Sequence, residues 1–166
     1  RFSFAIIFAL KAGVYQHSAR RAESDMVGHE TFFGGDAMSL IRHPVWQYAY
    51  FVNDIDEACH KWNKMVGAGP FHVVRHHIAE NFLYRGEPVE ADVSYAFGQA
   101  GPAHIQFIAQ HDDTPSIYRE MYKKGEHGFH HIGLLVHDLE GEIKRFNEAG
   151  YETACTLWGG DYVAYM

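Results

Sequence analysis

The feature that most constrains the fold of this chain is an internal repeat. When the 166-residue sequence is shifted by 84 positions, QYAYFVNDIDEACHKWNKMVG (47–67) aligns with HIGLLVHDLEGEIKRFNEAGY (131–151). Three positions are identical in the two copies, and Trp62 pairs conservatively with Phe146. A repeat of this length predicts two structurally equivalent units that stack against each other.

Each copy has the pattern of a strand followed by a helix. Asp54 and Asp138 suit helix N-caps, apolar residues follow at helical spacing, and Gly67 and Gly150 suit the helix ends. The remaining strand-like stretches are residues 70–77, 91–98 and 103–110 in the first copy and 152–158 and 161–166 in the second, with turns at Gly98–Pro102 and Gly159–Gly160. This pattern predicts an α+β fold with two βαβββ modules in one cupped mixed sheet, the second lacking its last strand.

The same pattern divides the chain into four parts. We expect an N-terminal extension (1–43), a first module (44–112), a connector helix (113–126) and a second, truncated module (127–166). Thr114 or Asp113 suits the cap of the connector helix, and Gly125 suits its end. The missing strand would leave a sheet edge open. The apolar run FSFAIIFAL (2–10), or a second copy of the chain in a homodimer, would cover that edge.

Composition narrows the class of partner. The formal net charge is −7, from 14 basic and 21 acidic residues, and this argues against a nucleic-acid surface. The N-terminal apolar run is too short to span a bilayer and lacks a convincing signal-peptide cleavage site. Two cysteines are too few for a disulfide framework, so reduced thiols and a cytoplasmic location are expected. These features favour a small-molecule partner and no membrane.

Several polar residues lie within apolar strand patterns. Side chains alternate along a strand, so His131 should face away from Ile132, and His130 should face the side opposite to His131 as a hydrogen-bonded structural residue. The repeat makes Gln47 the equivalent of His131, and Gln106 lies between apolar neighbours on a strand of its own. Burying such groups unpaired costs about 1 to 3 kcal/mol each. We therefore expect them to meet a ligand, a metal ion, water or one another.

The stretch HIQFIAQHDDTPSIYREMYKKGEHGFHHIGLLVHDLE (104–140), together with the two-module pattern, resembles the vicinal oxygen chelate superfamily, which contains glyoxalases, bleomycin-resistance proteins and extradiol dioxygenases. Residues 44–166 resemble that superfamily as a whole, and the quoted stretch resembles its methylmalonyl-CoA epimerase branch. The resemblance implies a cupped sheet that holds a divalent metal ion of unknown identity.

The resemblance also implies site residues. HHIGLLV places His131 at a metal position, HIQFIAQ places Gln106 at another, and the repeat places Gln47 where the family has histidine. The fourth ligand of the branch, a Glu, would lie beyond Met166. His104 shares the face of Gln106 and is a substitute ligand or a substrate contact. Ser94 aligns with the catalytic Glu of the branch and is taken as a substrate contact.

The catalytic base and the substrate contacts remain open at this point. Asp92, two residues before Ser94, is the candidate base, although a solvated edge residue is the commoner role for such an Asp. Phe51, on the Gln47 side of its strand, is a further substrate contact.

Two functions are compatible with these residues. The first is a metal-assisted lyase, isomerase or epimerase that acts on a carbonyl compound or a thioester, with the ion on Gln47, Gln106 and His131. The alternative is a metal-free protein that binds a small molecule in the same hollow, as bleomycin-resistance members do. A ring-cleaving dioxygenase ranks third, because its iron site uses two histidines and a carboxylate and Gln47 occupies one of those positions here.

Overall fold

The computed structural model describes residues 6–8, 40–158 and 162–166. These residues form one sheet of ten strands and three helices. The strands are β1 Ile6–Phe8, β2 Val45–Phe51, β3 His72–His77, β4 Glu80–Tyr84, β5 Glu87–Pro88, β6 Val93–Ala100, β7 Ala103–Gln110, β8 Gly128–Leu134, β9 Cys155–Trp158 and β10 Tyr162–Tyr165. The helices are α1 Ile55–Val66, α2 Ile117–Met121 and α3 Leu139–Glu148. The predicted α+β class is confirmed.

The order of strands in the sheet, β3-β6-β7-β2-β8-β1-β10-β9-β4-β5, shows the repeat directly. In the first half β7 lies beside β2 and runs parallel to it. In the second half β1 takes the equivalent place beside β8 but runs antiparallel to it, and it also pairs with β10. The strand position expected to be bare in the second module is therefore filled by residues 6–8 of the N-terminal extension.

The hairpin of β4 and β5 was not predicted, because it is short, polar and largely exposed. It pairs with β9 of the second module, near the opposite end of the sheet from β3. Only Ile78 and Ala79 separate β3 from β4, and three Cα-to-Cα steps span at most about 11 Å. The sheet must therefore curl until its two ends approach each other.

The helix ends follow the sequence prediction in the two repeats. The Asp54 carboxylate accepts a hydrogen bond from the Glu57 N–H at 2.9 Å, and the Asp138 carboxylate accepts one from the Gly141 N–H at 2.9 Å. The connector helix differs from the prediction, because α2 is capped by Ser116 rather than by Thr114 or Asp113 and ends at Met121 rather than at Gly125.

The apolar core has two outer parts and one inner part. On the outer face, α1 packs on β6 and β7, and α3 packs near β8 and β10. On the inner face, α2 inserts Ile117 and Tyr118 into a cluster that includes Phe51, Tyr95 and Tyr165. The Tyr118 hydroxyl lies 3.2 Å from that of Tyr95 and 3.1 Å from that of Tyr165. Aromatic side chains thus fill one end of the curled sheet.

Candidate functional site

Three adjacent strands bring the predicted polar residues onto the inner face of the sheet. Across β7, β2 and β8, one row contains His104, Gln47 and Gly133, and the next contains Gln106, Ala49 and His131. A side chain at Gly133 would collide with Gln47, since a Cβ there would lie 2.9 Å from the Gln47 Cβ. The small residue in each row therefore leaves room for the long polar ones beside it.

His130 does not face the side opposite to His131, and the earlier expectation is wrong. Ala49 pairs with His131 and Tyr50 pairs with Phe129, so His130 is an additional residue in β8. A β-bulge of this kind interrupts the alternation of side chains. Both histidines are fully buried, and their Nδ1 atoms lie 2.7 Å apart. We call them the buried histidine pair.

A chain of contacts links the buried histidine pair to its surroundings. His130 Nε2 lies 3.4 Å from the carbonyl oxygen of Ile117, and His131 Nε2 lies 3.3 Å from Gln47 Oε1. The amide nitrogen of Gln47 lies 3.1 Å from His104 Nδ1. The structure therefore brings Gln47, His104 and His131 into one hydrogen-bonded group.

Burial fixes the charge of these rings. Desolvation lowers the pKa of His130 to about 4 and that of His131 well below its usual 6.5, and it also lowers the pKa of His104. The neighbouring His130 is a second, smaller cause for His131. At neutral pH all three rings are neutral, which is the form that ligates metal ions.

Counting hydrogens shows that one contact in this chain lacks a hydrogen. The chain from the Ile117 carbonyl to the Gln47 amide oxygen has three links, and two neutral imidazoles supply two hydrogens. Both end atoms accept, so the hydrogen is absent either between His130 and Ile117, at 3.4 Å, or between His131 and Gln47, at 3.3 Å. In the second arrangement His130 carries its hydrogen on Nε2 and accepts at Nδ1 from His131. His131 Nε2 is then unprotonated and faces another acceptor. Rotation of the Gln47 amide, or a bound cation, would resolve this conflict.

Gln106 adds a second acceptor without a donor. Its side chain is 5 % exposed, and its Oε1 has no hydrogen-bond partner among the described residues. A buried acceptor in that state costs about 1 to 3 kcal/mol. Imidazole nitrogens with amide oxygens suit borderline divalent ions such as Zn²⁺, Fe²⁺ or Ni²⁺. The donor set of this face therefore fits the divalent ion that the family resemblance implies.

Trp46 belongs to the same face and was missed in the sequence. Val45 pairs with Leu134 and Gln47 with Gly133, so Trp46 is the additional residue of a second bulge. Its ring stacks on His104 with centroids 4.1 Å apart and planes 12° apart, and Phe97 follows at 6.0 Å from His104. Strict alternation hides such a residue, because a bulge has no distinctive sequence pattern.

The other predicted site residues lie elsewhere. Phe51 shares the inner face but is 2 % exposed and stacks on Tyr122 at 5.6 Å, within the core. Ser94 pairs with Ala109, which packs beneath α1, so Ser94 faces the outer side. Asp92 contacts His76 on that same side. This corrects the expectation that Asp92 and Ser94 share a site with Gln106 and His131.

Asp92 instead belongs to a group at the sheet edge that the sequence reading did not identify. His76, Asp92 and His111, here called the edge cluster, each offer a ligand atom within 4.8 Å of the other two. Arg75, the residue before His76, pairs with Asp56 at 2.6 Å. No periodicity links the three members, because they come from three different strand ends.

A separate cavity of about 240 Å³ opens on the outer side of β2. It includes neither Gln47 nor His131. Its walls come from α1, β2, β7 and the start of β8 and include Tyr50, Asp54, Lys61, Trp62 and Phe107. The cavity and the polar rows therefore lie on different faces of the sheet.

Both cysteines behave as packing residues. Burial is the main cause that raises the pKa of Cys59 and that of Cys155, so both thiols are protonated at neutral pH.

Across the described residues, none of the helices has the length and apolar character needed to cross a membrane.

Comparison with known proteins adds three findings. A family model described as Glyoxalase/Bleomycin resistance protein/Dioxygenase superfamily matches residues 46–165. Among curated proteins, none matches this chain. A solved structure described as methylmalonyl-CoA epimerase from Mycobacterium tuberculosis is similar over 78 % of this chain and 89 % of that one, with 20 % identity and a TM-score of 0.47.

Proposed function

Because the chain belongs to the Glyoxalase/Bleomycin resistance protein/Dioxygenase superfamily, we propose that it is a metal-assisted lyase, isomerase or epimerase that acts on a small carbonyl compound or thioester. The observation that carries this proposal is the buried Gln106 Oε1, which has no hydrogen-bond partner among the described residues and lies on the same face of the sheet as His131. In the hydrogen arrangement that leaves the His131–Gln47 contact without a hydrogen, His131 Nε2 is a second buried acceptor without a donor.

His131, Gln47 and Gln106 would hold the ion. When bound, a divalent ion acts as a Lewis acid that stabilises negative charge on a substrate oxygen. His130 Nδ1, 2.7 Å from His131 Nδ1, would accept the hydrogen of His131 when an ion is bound and so keep the Nε2 lone pair directed at the site. The residues behind the ligands thus fix both the tautomer and the ring orientation.

His104 would contact the substrate. It is half-buried, and its Nδ1 faces Gln47, which leaves Nε2 as the nitrogen that would hold or move a proton of the substrate. Trp46 stacks on the ring and fixes its plane. Asp92 has no role in this proposal, because it lies on the outer face.

Metal content and proton exchange together test the proposal. All variants carry His111→Ala, which disables the edge cluster. We expect about one tightly held divalent ion per chain in this parent, loss of the ion with His131→Ala, and retention with the exposed control His60→Ala. With α-substituted acyl thioesters in D₂O, NMR should show exchange at the carbon beside the carbonyl for the parent and the His60→Ala variant only. Equal metal content in all three proteins would refute the assignment of His131.

A metal-free binding function is the second candidate, and one observation favours it. The rings of Trp46, His104 and Phe97 lie close to parallel, as in a wall that stacks on a flat apolar molecule. Rotation of the Gln47 amide would then satisfy His131 without an ion. Tight binding of planar aromatic compounds by protein treated with chelator, with no proton exchange in the metal-loaded form, would support this candidate over the enzyme.

A further inference from the structure

The edge cluster is built from three strand ends that meet at one corner of the sheet. His76 lies near the end of β3, Asp92 directly precedes β6, and His111 directly follows β7. These strands are neighbours and antiparallel, so the end of β3, the start of β6 and the end of β7 lie side by side. The cluster is on the outer face, away from Gln106 and His131.

The side chains of the edge cluster converge. His76 Nδ1 lies 2.9 and 3.1 Å from the two carboxylate oxygens of Asp92, and the rings of His76 and His111 stack with centroids 4.3 Å apart. Two ligand atoms about 2.1 Å from one ion lie about 3.0 Å apart in octahedral and about 3.4 Å apart in tetrahedral geometry, so this spacing is close to that of a metal site.

A second set of hydrogen bonds holds the three residues in place. The Ser94 hydroxyl oxygen accepts from the His76 N–H at 3.1 Å and lies 2.7 Å from His111 Nε2. The His111 N–H donates to the Asp92 carbonyl oxygen at 2.8 Å, and the Asp92 N–H donates to Asp112 at 3.0 Å. Groups that orient ligands in this way are typical of metal sites.

His76 is also held in an unusual backbone conformation. Its φ is 49°, in the left-handed region, at a bulge where β3 gains one residue relative to β6. A non-glycine residue there is strained, and such strain persists only where the surroundings over-determine it. The bulge turns the imidazole toward Asp92, as the bulge at His130 turns that ring toward His131.

We propose that His76, Asp92 and His111 form a second metal site, for a borderline divalent ion such as Zn²⁺, Co²⁺ or Ni²⁺. Two imidazoles and one carboxylate select this class over Mg²⁺ and Ca²⁺, which take oxygen ligands. The side chains of His76 and Asp92 are 64 % and 33 % exposed, so solvent or a solute reaches the remaining coordination positions. The site is independent of the proposed function of the inner face.

Titration of the chain with Co²⁺ and with Zn²⁺ tests this site. All proteins carry His131→Asn, which disables the inner site, and binding is followed by calorimetry and by the visible spectrum of Co²⁺. We expect one ion per chain in this parent. His111→Ala and Asp92→Asn, each added to it, should weaken binding at least tenfold. His72 is an exposed histidine on β3, the strand of His76. The control substitution His72→Ala should leave binding unchanged.

Two results would overturn the proposal. One is binding by the His111→Ala protein equal to that of the parent, and the other is absence of binding in the parent itself. If the wild-type chain binds one ion and His131→Asn alone removes it, the ion belongs to the inner face and the edge cluster holds none. Thermal melts of the metal-free proteins check that each one is folded. Neither His111→Ala nor Asp92→Asn should change the stability of the His131→Asn parent by much, because both positions lie at the surface.

Discussion

The buried histidine pair and the edge cluster use the same side chain in opposite environments. His130 and His131 have no exposed surface, and burial keeps both rings neutral. His76 and His111 are exposed, and His76 pairs with a carboxylate. The difference shows that the number of histidines alone does not predict their function, since burial and the nearest charge decide what each ring can do. Four experiments would break or sharpen this contrast.

Removal of the inner ring should have the largest effect. His131→Ala should lower the free energy of unfolding by about 4 kcal/mol, because it leaves a cavity and leaves the buried His130 Nδ1 without its hydrogen-bond partner. His111→Ala at the edge should change it by no more than about 0.5 kcal/mol. Urea denaturation of the metal-free proteins measures both values. Similar losses in the two variants would erase the contrast.

Acidification should have the second-largest effect, because it protonates the buried histidine pair and so destabilises the folded chain. The unfolded chain protonates His130 near pH 6.5, whereas the folded chain does so only near 4. The unfolded state therefore binds more protons in this window, and stability falls as the pH falls from 6.5 to 4. His130 alone accounts for about 3 kcal/mol. Urea midpoints across this range should slope less steeply for His130→Asn than for wild type.

The matched control for the acid experiment is His111→Ala. Because the edge cluster does not bury its rings, this variant should keep the wild-type slope. A slope reduced equally by both substitutions would mean that acid acts on the whole molecule rather than on the buried pair.

A carboxylate on the inner face should strengthen metal binding there. Gln106→Glu supplies the anionic ligand that the edge cluster already has, and we expect at least tenfold tighter Zn²⁺ binding, or about 1.4 kcal/mol. Calorimetry in a His111→Ala background measures it. Unchanged affinity would show that Gln106 does not face the ion.

Added salt should produce the smallest of the four effects. The Asp92 side chain is 33 % exposed, so Asp92→Asn, which removes one carboxylate charge, should change stability by less than about 1 kcal/mol, and added NaCl, which screens that charge, should shrink the change. Salt should leave the cost of His131→Ala unchanged, because the partners of that ring are neutral. Thermal melts in low and high NaCl compare the two responses.

The sequence predicted the α+β class, the N-caps of the two repeat helices, and Gln47 and His131 on one face of the sheet, because each depends on a local pattern or on the repeat. It did not predict the neighbours that bulges create. Residues Trp46, His76 and His130 each lie at a bulge, where one additional residue breaks the two-residue alternation. Asp92 and Ser94 were assigned to the inner face by alignment, and the observed register with β7 places Ser94 on the outer face instead.

The two-residue link from β3 to β4 has a consequence for how the molecule unfolds. The first half contributes the β4–β5 hairpin to the edge of the second, and residues 6–8 lie between β8 and β10. The first half therefore cannot unfold without removing the β4–β5 hairpin from the edge of the second half. The two repeats should therefore melt in a single cooperative step rather than one after the other.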